Sequence, residues 1–219
     1  MTSRNATPFL ILAILVLLGG AGALLGLSQS KNATSFATAV TNTLGATSYD
    51  ESVVATAQGV VESDHLTYNS PDKLGGYVQR NNQRTYVYII GGRAYETKTV
   101  AASTPTSSLT FYSQPATQLA NASDPVRQYL RLAGMATNVV QHGQTFTFSV
   151  TRGGQTGQFS GSIAGNYIST LNLKVTGETI DLSISNVNSA GTVSLPAGAT
   201  VKNAPNPATS STGSASSAG

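Results

Sequence analysis

The sequence predicts a mainly β domain of the α+β kind: one antiparallel sheet, dry on one side and curled about two helices, preceded by a single transmembrane helix. Three observations predict it. An uncharged apolar run occupies residues 9–27. Short β-prone runs separated by turn residues fill most of the remaining chain. In the later runs apolar side chains recur at every second position, which gives a sheet one dry face and one wet one.

The chain has 219 residues, enough for one domain of ordinary size once an anchor and a polar tail are set aside. Charged residues make up only 10%, and the polar positions are filled by Ser, Thr, Asn, Gln and Gly. The net charge of +3 comes from Lys and Arg scattered singly, so nothing follows a phosphate backbone and nucleic acid is not an expected partner. The absence of cysteine removes disulfides, thiolate metal sites, thiol nucleophiles and lipidation at a cysteine.

Residues 9–27 read FLILAILVLLGGAGALLGL, and at ~1.5 Å per residue they match a hydrocarbon core ~30 Å thick. Pro8 suits a first helical turn, and Arg4 with the free amino terminus places residues 1–8 in the cytoplasm and the rest outside. The bilayer is therefore the expected partner of residues 9–27. A cleaved signal peptide is the competing reading, with Ala21-Gly22-Ala23 or Ala37-Thr38-Ala39 as the cleavage site; the domain is then secreted. Gly22 and Gly26 form a GxxxG that packs helices in some spans.

The folded domain is expected over residues 32–203. From Asn32 to Leu44, Phe36, Val40 and Leu44 stand four apart with Ala37 alongside, a helical stripe that needs a sheet to cover. SVVATAQGVV, HLTYNS, GYVQRN, RTYVYII and RAYETKTV then form a meander, broken at Ser70-Pro71-Asp72, Asn81-Asn82 and Gly91-Gly92. Tyr86, Tyr88 and Ile90 share one face and Val87 and Ile89 the other, so this strand is expected to be central. Residues 101–123 read as a long connection in which Leu109, Phe111 and Tyr112 offer a short strand or a contact. Asp124-Pro125 gives a cap and first-turn proline to a second helix, with Val126, Tyr129, Leu130 and Ala133 on one face. The second meander is TFTFSVT, GQFSGSIA, YISTLNLKVT and ETIDLSISNV. Phe146, Phe148 and Val150 share one side, as do Leu171, Leu173 and Val175, and Ile180, Leu182 and Ile184. Residues 204–219 carry no core-forming pattern and read as a disordered tail.

Candidate chemistry fares poorly. Ser63, Asp64 and His65 have the residue types of a triad, but adjacent strand positions point to opposite faces. His142 has no carboxylate cluster near it that would complete a zinc site. Gly75-Gly76, Gly91-Gly92 and Gly153-Gly154 read as turns, since none precedes a helix. Asp50 with Glu51, and Glu62 with Asp64, read as solvated charges. Tyr68, Tyr86, Tyr88 and Tyr95 suit either the rim of a cavity or cross-strand pairs. No catalytic residue, metal or cofactor is assigned, and the sequons at Asn32 and Asn121 matter only in a eukaryotic secretory pathway.

YNSPDKL (Tyr68 to Leu74), VYIIGGRAYE (Val87 to Glu96) and SLPAGATV (Ser194 to Val201) occur in that order. Over roughly Asn32 to Val201 the chain resembles the superfamily of the bacterial outer-membrane lipoprotein carrier and the mycobacterial lipid-binding lipoproteins. The resemblance implies a curved half-barrel with helices on its concave side and, in some members, acyl chains held between them. It implies a cavity lined by Phe36, Val40, Tyr86, Tyr88 and Ile90 from the first half, and by Phe146, Phe148, Val150 and Phe159 from the second. Leu171, Leu173, Ile180, Leu182 and Ile184 complete that lining. The mycobacterial relatives carry a lipidated cysteine that this chain lacks. A fixed helical anchor favours a receptor, a handover site or a component of a membrane complex over a shuttle. Two functions are expected on this basis: a non-catalytic binding domain for a lipid or lipoprotein acyl chain, or a protein interaction module whose concave side is filled by its own residues.

Overall fold

The computed structural model describes residues 34–116 and 123–204. The expected anchor at 9–27, the Gly22/Gly26 pair, both sequons and residues 205–219 of the expected tail lie outside them. No helix among the described residues is long and apolar enough to cross a membrane.

The first helix is α1 (Phe36–Gly45). The Ser35 hydroxyl accepts the Thr38 N–H at 3.1 Å and caps the first turn, which sets the start at Phe36. Five strands then form the first meander: β1 (Ser48–Ala57), β2 (Val60–Asn69), β3 (Lys73–Arg80), β4 (Gln83–Ile90) and β5 (Arg93–Thr97). The run SVVATAQGVV turns within itself, since Gln58 and Gly59 have φ of 50° and 77° and close the β1–β2 hairpin. Gly91 and Gly92, at 56° and 75°, close β4–β5 in the same left-handed way.

Gly75-Gly76 corrects the reading as a turn: both residues lie inside β3. A Cβ on Gly75 would stand 2.2 Å from the Tyr88 ring, and one on Gly76 would stand 2.0 Å from the His65 carbonyl oxygen. Glycine is there to let a ring and a neighbouring strand come close.

β6 (Val100–Ala101) adds to the start of β4, and β7 (Thr110–Pro115) pairs with β5. The second helix, α2 (Pro125–Leu132), is capped by Asp124 as expected, with its carboxylate accepting the Arg127 N–H at 2.9 Å. A 3-10 turn (Ala133–Met135) leads into β8 (Thr137–His142), a strand the sequence pattern does not predict. The second meander comes next as β9 (Thr145–Arg152), β10 (Gln155–Ala164), β11 (Tyr167–Val175) and β12 (Glu178–Ser185).

One seam joins the two meanders. β1 pairs with both β2 and β12, so that Val53 stands opposite Asp64 on one side and Leu182 on the other. The result is a single 13-stranded sheet in the order β13-β7-β5-β4-β3-β2-β1-β12-β11-β10-β9-β8, with β6 against β4. It is curved and unclosed. The last strand, β13 (Thr200–Asn203), runs parallel to β7, an exception in an otherwise antiparallel sheet.

The main core lies on the inner face, between the strands and the two helices. Phe36 of α1 meets Phe146 and Phe148 with centroids 4.7 and 5.1 Å apart, and Phe148 stacks on Phe159 at 4.5 Å. Burial of side chains this size stabilises the fold by roughly 1.5–3 kcal/mol each. Gln141 of β8 fastens the helix start, accepting the Phe36 N–H at 2.8 Å and donating to the Thr34 carbonyl at 2.9 Å. A smaller cluster of Tyr86, Leu109 and Phe111 sits on the outer face, where Leu195 and Ala199 pack against it.

Candidate ligand-binding face

The inner face has three parts. Beneath α1 it is dry: Phe146, Phe148 and Val150 of β9, Phe159 of β10, Leu171 and Leu173 of β11, and Ile180, Leu182 and Ile184 of β12 are all buried. Phe36 and Val40 of α1 close onto them. These residues come together in one buried cluster. Their exposures run from 0 to 6%, so a water-sized void has no surface to lie against. In this state they are packed as core.

Beneath α2 the face changes. Tyr49, Glu51, Val53 and Ala55 of β1 point inward, as do Glu62, Asp64, Leu66 and Tyr68 of β2. Glu51, Glu62 and Asp64 are therefore buried, at 4, 5 and 5% exposure, which corrects their reading as solvated charges. They share the strand parity of the apolar residues beside them, and that parity carries them inside.

Two acids seat the helix, Glu51 and the capping Asp124. Glu51 Oε2 accepts the Val126 N–H at 3.3 Å, while Asp124 receives the Tyr49 hydroxyl in a short bond and the Arg127 N–H. Arg127 then donates to the carbonyls of Leu44 and Ala46 at 2.7 and 3.0 Å, and its guanidinium lies 4.3 Å from the centre of the Tyr68 ring. Glu51 Oε1, Asp64 Oδ1 and the Tyr129 hydroxyl are buried without a hydrogen-bond partner.

Burial favours the neutral acid. It pushes Glu51 well above the usual carboxyl range, with Asp124 adding to the effect. Asp64 rises to about 7 through burial and then through Glu62. Burial also raises Asp124, to about 6, against the opposing bond from Tyr49. Tyr129 is raised by burial and by Asp64, which places that acid within reach of α2.

The third part is the inner side of β3, β4 and β5. Val78, Val87, Ile89 and Ala94 keep some surface open there. The contacts that seat α1 and α2 run instead to β1, β2, β9 and β11.

Tyr86, Tyr88 and Ile90 correct the expected lining. They alternate with Val87 and Ile89 onto the outer face, where Tyr88 meets Phe111 edge-on at 5.5 Å. Both sides of β4 are apolar, so alternation alone cannot tell inside from outside; the pairing of Ile89 with buried Leu74 decides it. The four tyrosines weighed as a rim do not share one either, since Tyr68 lies inside against Tyr49 and the other three outside. His65 points outward and packs on Tyr77 at 5.0 Å, while Asp64 points inward. No group of metal-ligating side chains forms among the described residues.

No family model and no curated protein matches this chain. Among solved structures it is similar to the lipoprotein LppX of Mycobacterium tuberculosis, at 15% identity and a TM-score of 0.48, over 72% of this chain and 95% of that one. It is also similar to LprF from Mycobacterium bovis, at 11% identity and a TM-score of 0.44, over 74% and 94% of the two chains.

Proposed function

We propose that this chain is a non-catalytic, membrane-held extracytoplasmic domain that receives an acyl chain of a lipid or lipoprotein on the inner face of its sheet. One observation carries the reading. The inner face continues from the main core onto β3, β4 and β5, where Val78, Val87, Ile89 and Ala94 are half-buried and Glu96, opposite Val87, is the one carboxylate among them. An acyl chain laid there shields that surface, and it extends under α2 once the helix lifts. The seat of α2 favours lifting, because Glu51 Oε1, Asp64 Oδ1 and the Tyr129 hydroxyl gain water when it opens. The order of the three sequence motifs that resemble the lipoprotein carriers supports the same reading. A fixed anchor over residues 9–27 makes the domain a receptor or handover site.

The packed interior beneath α1 favours a second reading, a protein interaction module with a filled core. A fatty acid bearing a photoreactive diazirine, mixed with the full chain in detergent, separates the two. The lipid reading expects label on residues 83–96 and 125–132. Label confined to residues 1–33, or none, rejects it and leaves the interaction module.

A further inference from the structure

The outer face carries a trough unrelated to the surface just described. Register aligns its floor in two rows across the strands. Ser183, Ser52, His65 and Tyr77 form one; Ser185, Asp50, Thr67, Gly75 and Tyr88 form the other. The second row spans four strand intervals from β12 to β4, about 19 Å at ~4.8 Å each, and the first spans three. The space is about 570 Å3. The Tyr88 ring and Val193 lie directly over Gly75, and the segment Gly191–Ser194 forms a side wall. That wall is fixed: Asn69 accepts the Val193 N–H at 2.6 Å and donates to the Gly191 carbonyl at 3.1 Å.

The chemistry of the trough is selective. Its lining holds no lysine or arginine and faces the ligand with one carboxylate, Asp50, so phosphates and other anions find no counter-charge. Asp50 itself is held in place by Thr67 at 2.6 Å and Asn186 at 2.7 Å. The hydroxyls of Ser52, Ser183 and Ser185 make no hydrogen bond among the described residues, which leaves donors and acceptors pointing at the space. A second outer groove, of about 350 Å3 over β8 to β11, shows the contrast. There Ser162 bonds Ser169 and Thr170 at 2.9 and 2.7 Å, and Thr145 bonds the His142 carbonyl at 3.0 Å, which leaves Thr147 and Ser160 as the unspent hydroxyls, and no carboxylate lines the groove.

We propose that the first trough is a saccharide-binding site for a short neutral oligosaccharide. Unspent hydroxyls, a fixed carboxylate and an imidazole match a ligand that is donor and acceptor along its whole length. Tyr88 supplies the aromatic surface against which the C–H face of a pyranose ring rests. The crossing direction of the trough offers no strand edge, so an extended peptide gains no main-chain pairing in it.

The test uses the full chain in a detergent without a sugar head. It is titrated calorimetrically with maltotetraose, cellotetraose, tetra-N-acetylchitotetraose and, separately, inorganic phosphate. At least one tetrasaccharide is expected to bind with a Kd of ~1 mM or tighter, and phosphate is expected to give no heat. Ser183→Trp, at an exposed floor position, should weaken binding at least tenfold; Ser160→Trp, in the second groove, should leave it unchanged. His65→Ala provides an independent variant that adds no bulk and should weaken binding severalfold. Vesicles with and without a glucosyl lipid give the head-group arm, and capture that Ser183→Trp abolishes supports the site with a glycolipid as its source. The proposal is overturned if no tetrasaccharide and no glucosyl vesicle binds, or if binding survives both Ser183→Trp and His65→Ala. Neither result bears on the acyl-chain reading, which concerns the opposite face.

Discussion

Beneath α1, strands β9 to β12 offer only aromatic and aliphatic side chains, and the helix closes on them through Phe36, Ala39 and Val40. Beneath α2, strands β1 and β2 offer Glu51 and Asp64 beside Tyr49 and Tyr68, and the helix is held by hydrogen bonds and one guanidinium. The two seats differ in what is lost on opening. Lifting α1 exposes apolar surface at ~25 cal/mol per Å2. Lifting α2 also hydrates three buried polar atoms, each of which costs ~1–3 kcal/mol while it stays unpaired. Val126, Leu130 and Leu132 of α2 are buried in the same core as Phe36 and Val40 of α1, so the difference between the two seats lies in these polar atoms.

The sharpest way to expose the difference is to break the dry seat. Phe148→Ala removes the ring that stacks on Phe159 and tilts against Phe36 and should cost ~3–5 kcal/mol in urea unfolding, a global loss. A loss below ~1 kcal/mol would show that the α1 side is not a packed core.

The pH dependence ranks next. Asp64 is held near 7 in the folded protein against ~3.9 in the unfolded chain. Its contribution is full below the unfolded value, falls as pH rises between the two, and is gone above the folded one. Stability should therefore fall from about pH 4 to about pH 7, by up to ~1.4 kcal/mol per pH unit for this proton. Asp124 adds to the slope up to about pH 6. Chemical denaturation across that range should show it, and Asp64→Asn should flatten it.

Smaller effects address the seat itself. Asp124→Ala removes the cap of α2 and should cost ~1–2 kcal/mol. Circular dichroism should show the accompanying loss of helix. Tyr129→Phe deletes an unpaired buried hydroxyl and should change stability by no more than ~1 kcal/mol, in the stabilising direction, raising Tm slightly.

Much of this architecture is written in strand parity. The dry faces of β9, β11 and β12, the cap at Asp124-Pro125 and most hairpin turns come from local spacing, and the structure has them where the spacing puts them. β8 and β13 do not announce themselves, because edge strands with mostly exposed side chains need no apolar alternation. The assignment of Tyr86 and Tyr88 to the interior fails because β4 is apolar on both sides, and only its register with β3 distinguishes them. The buried acids are legible by position and misleading by charge. Tyr49-x-Glu51-x-Val53 and Glu62-x-Asp64-x-Leu66-x-Tyr68 place each carboxylate in phase with the core, and phase outweighs charge.

Release of α2 is the claim on which the acyl-chain reading depends, and amide hydrogen exchange of the full chain at pH 5 and pH 8 tests it directly. Residues 125–132 should exchange markedly faster at pH 8, once the exchange chemistry itself is corrected for, while residues 36–45 keep the same protection at both. Equal protection of the two helices at both pH values would contradict it.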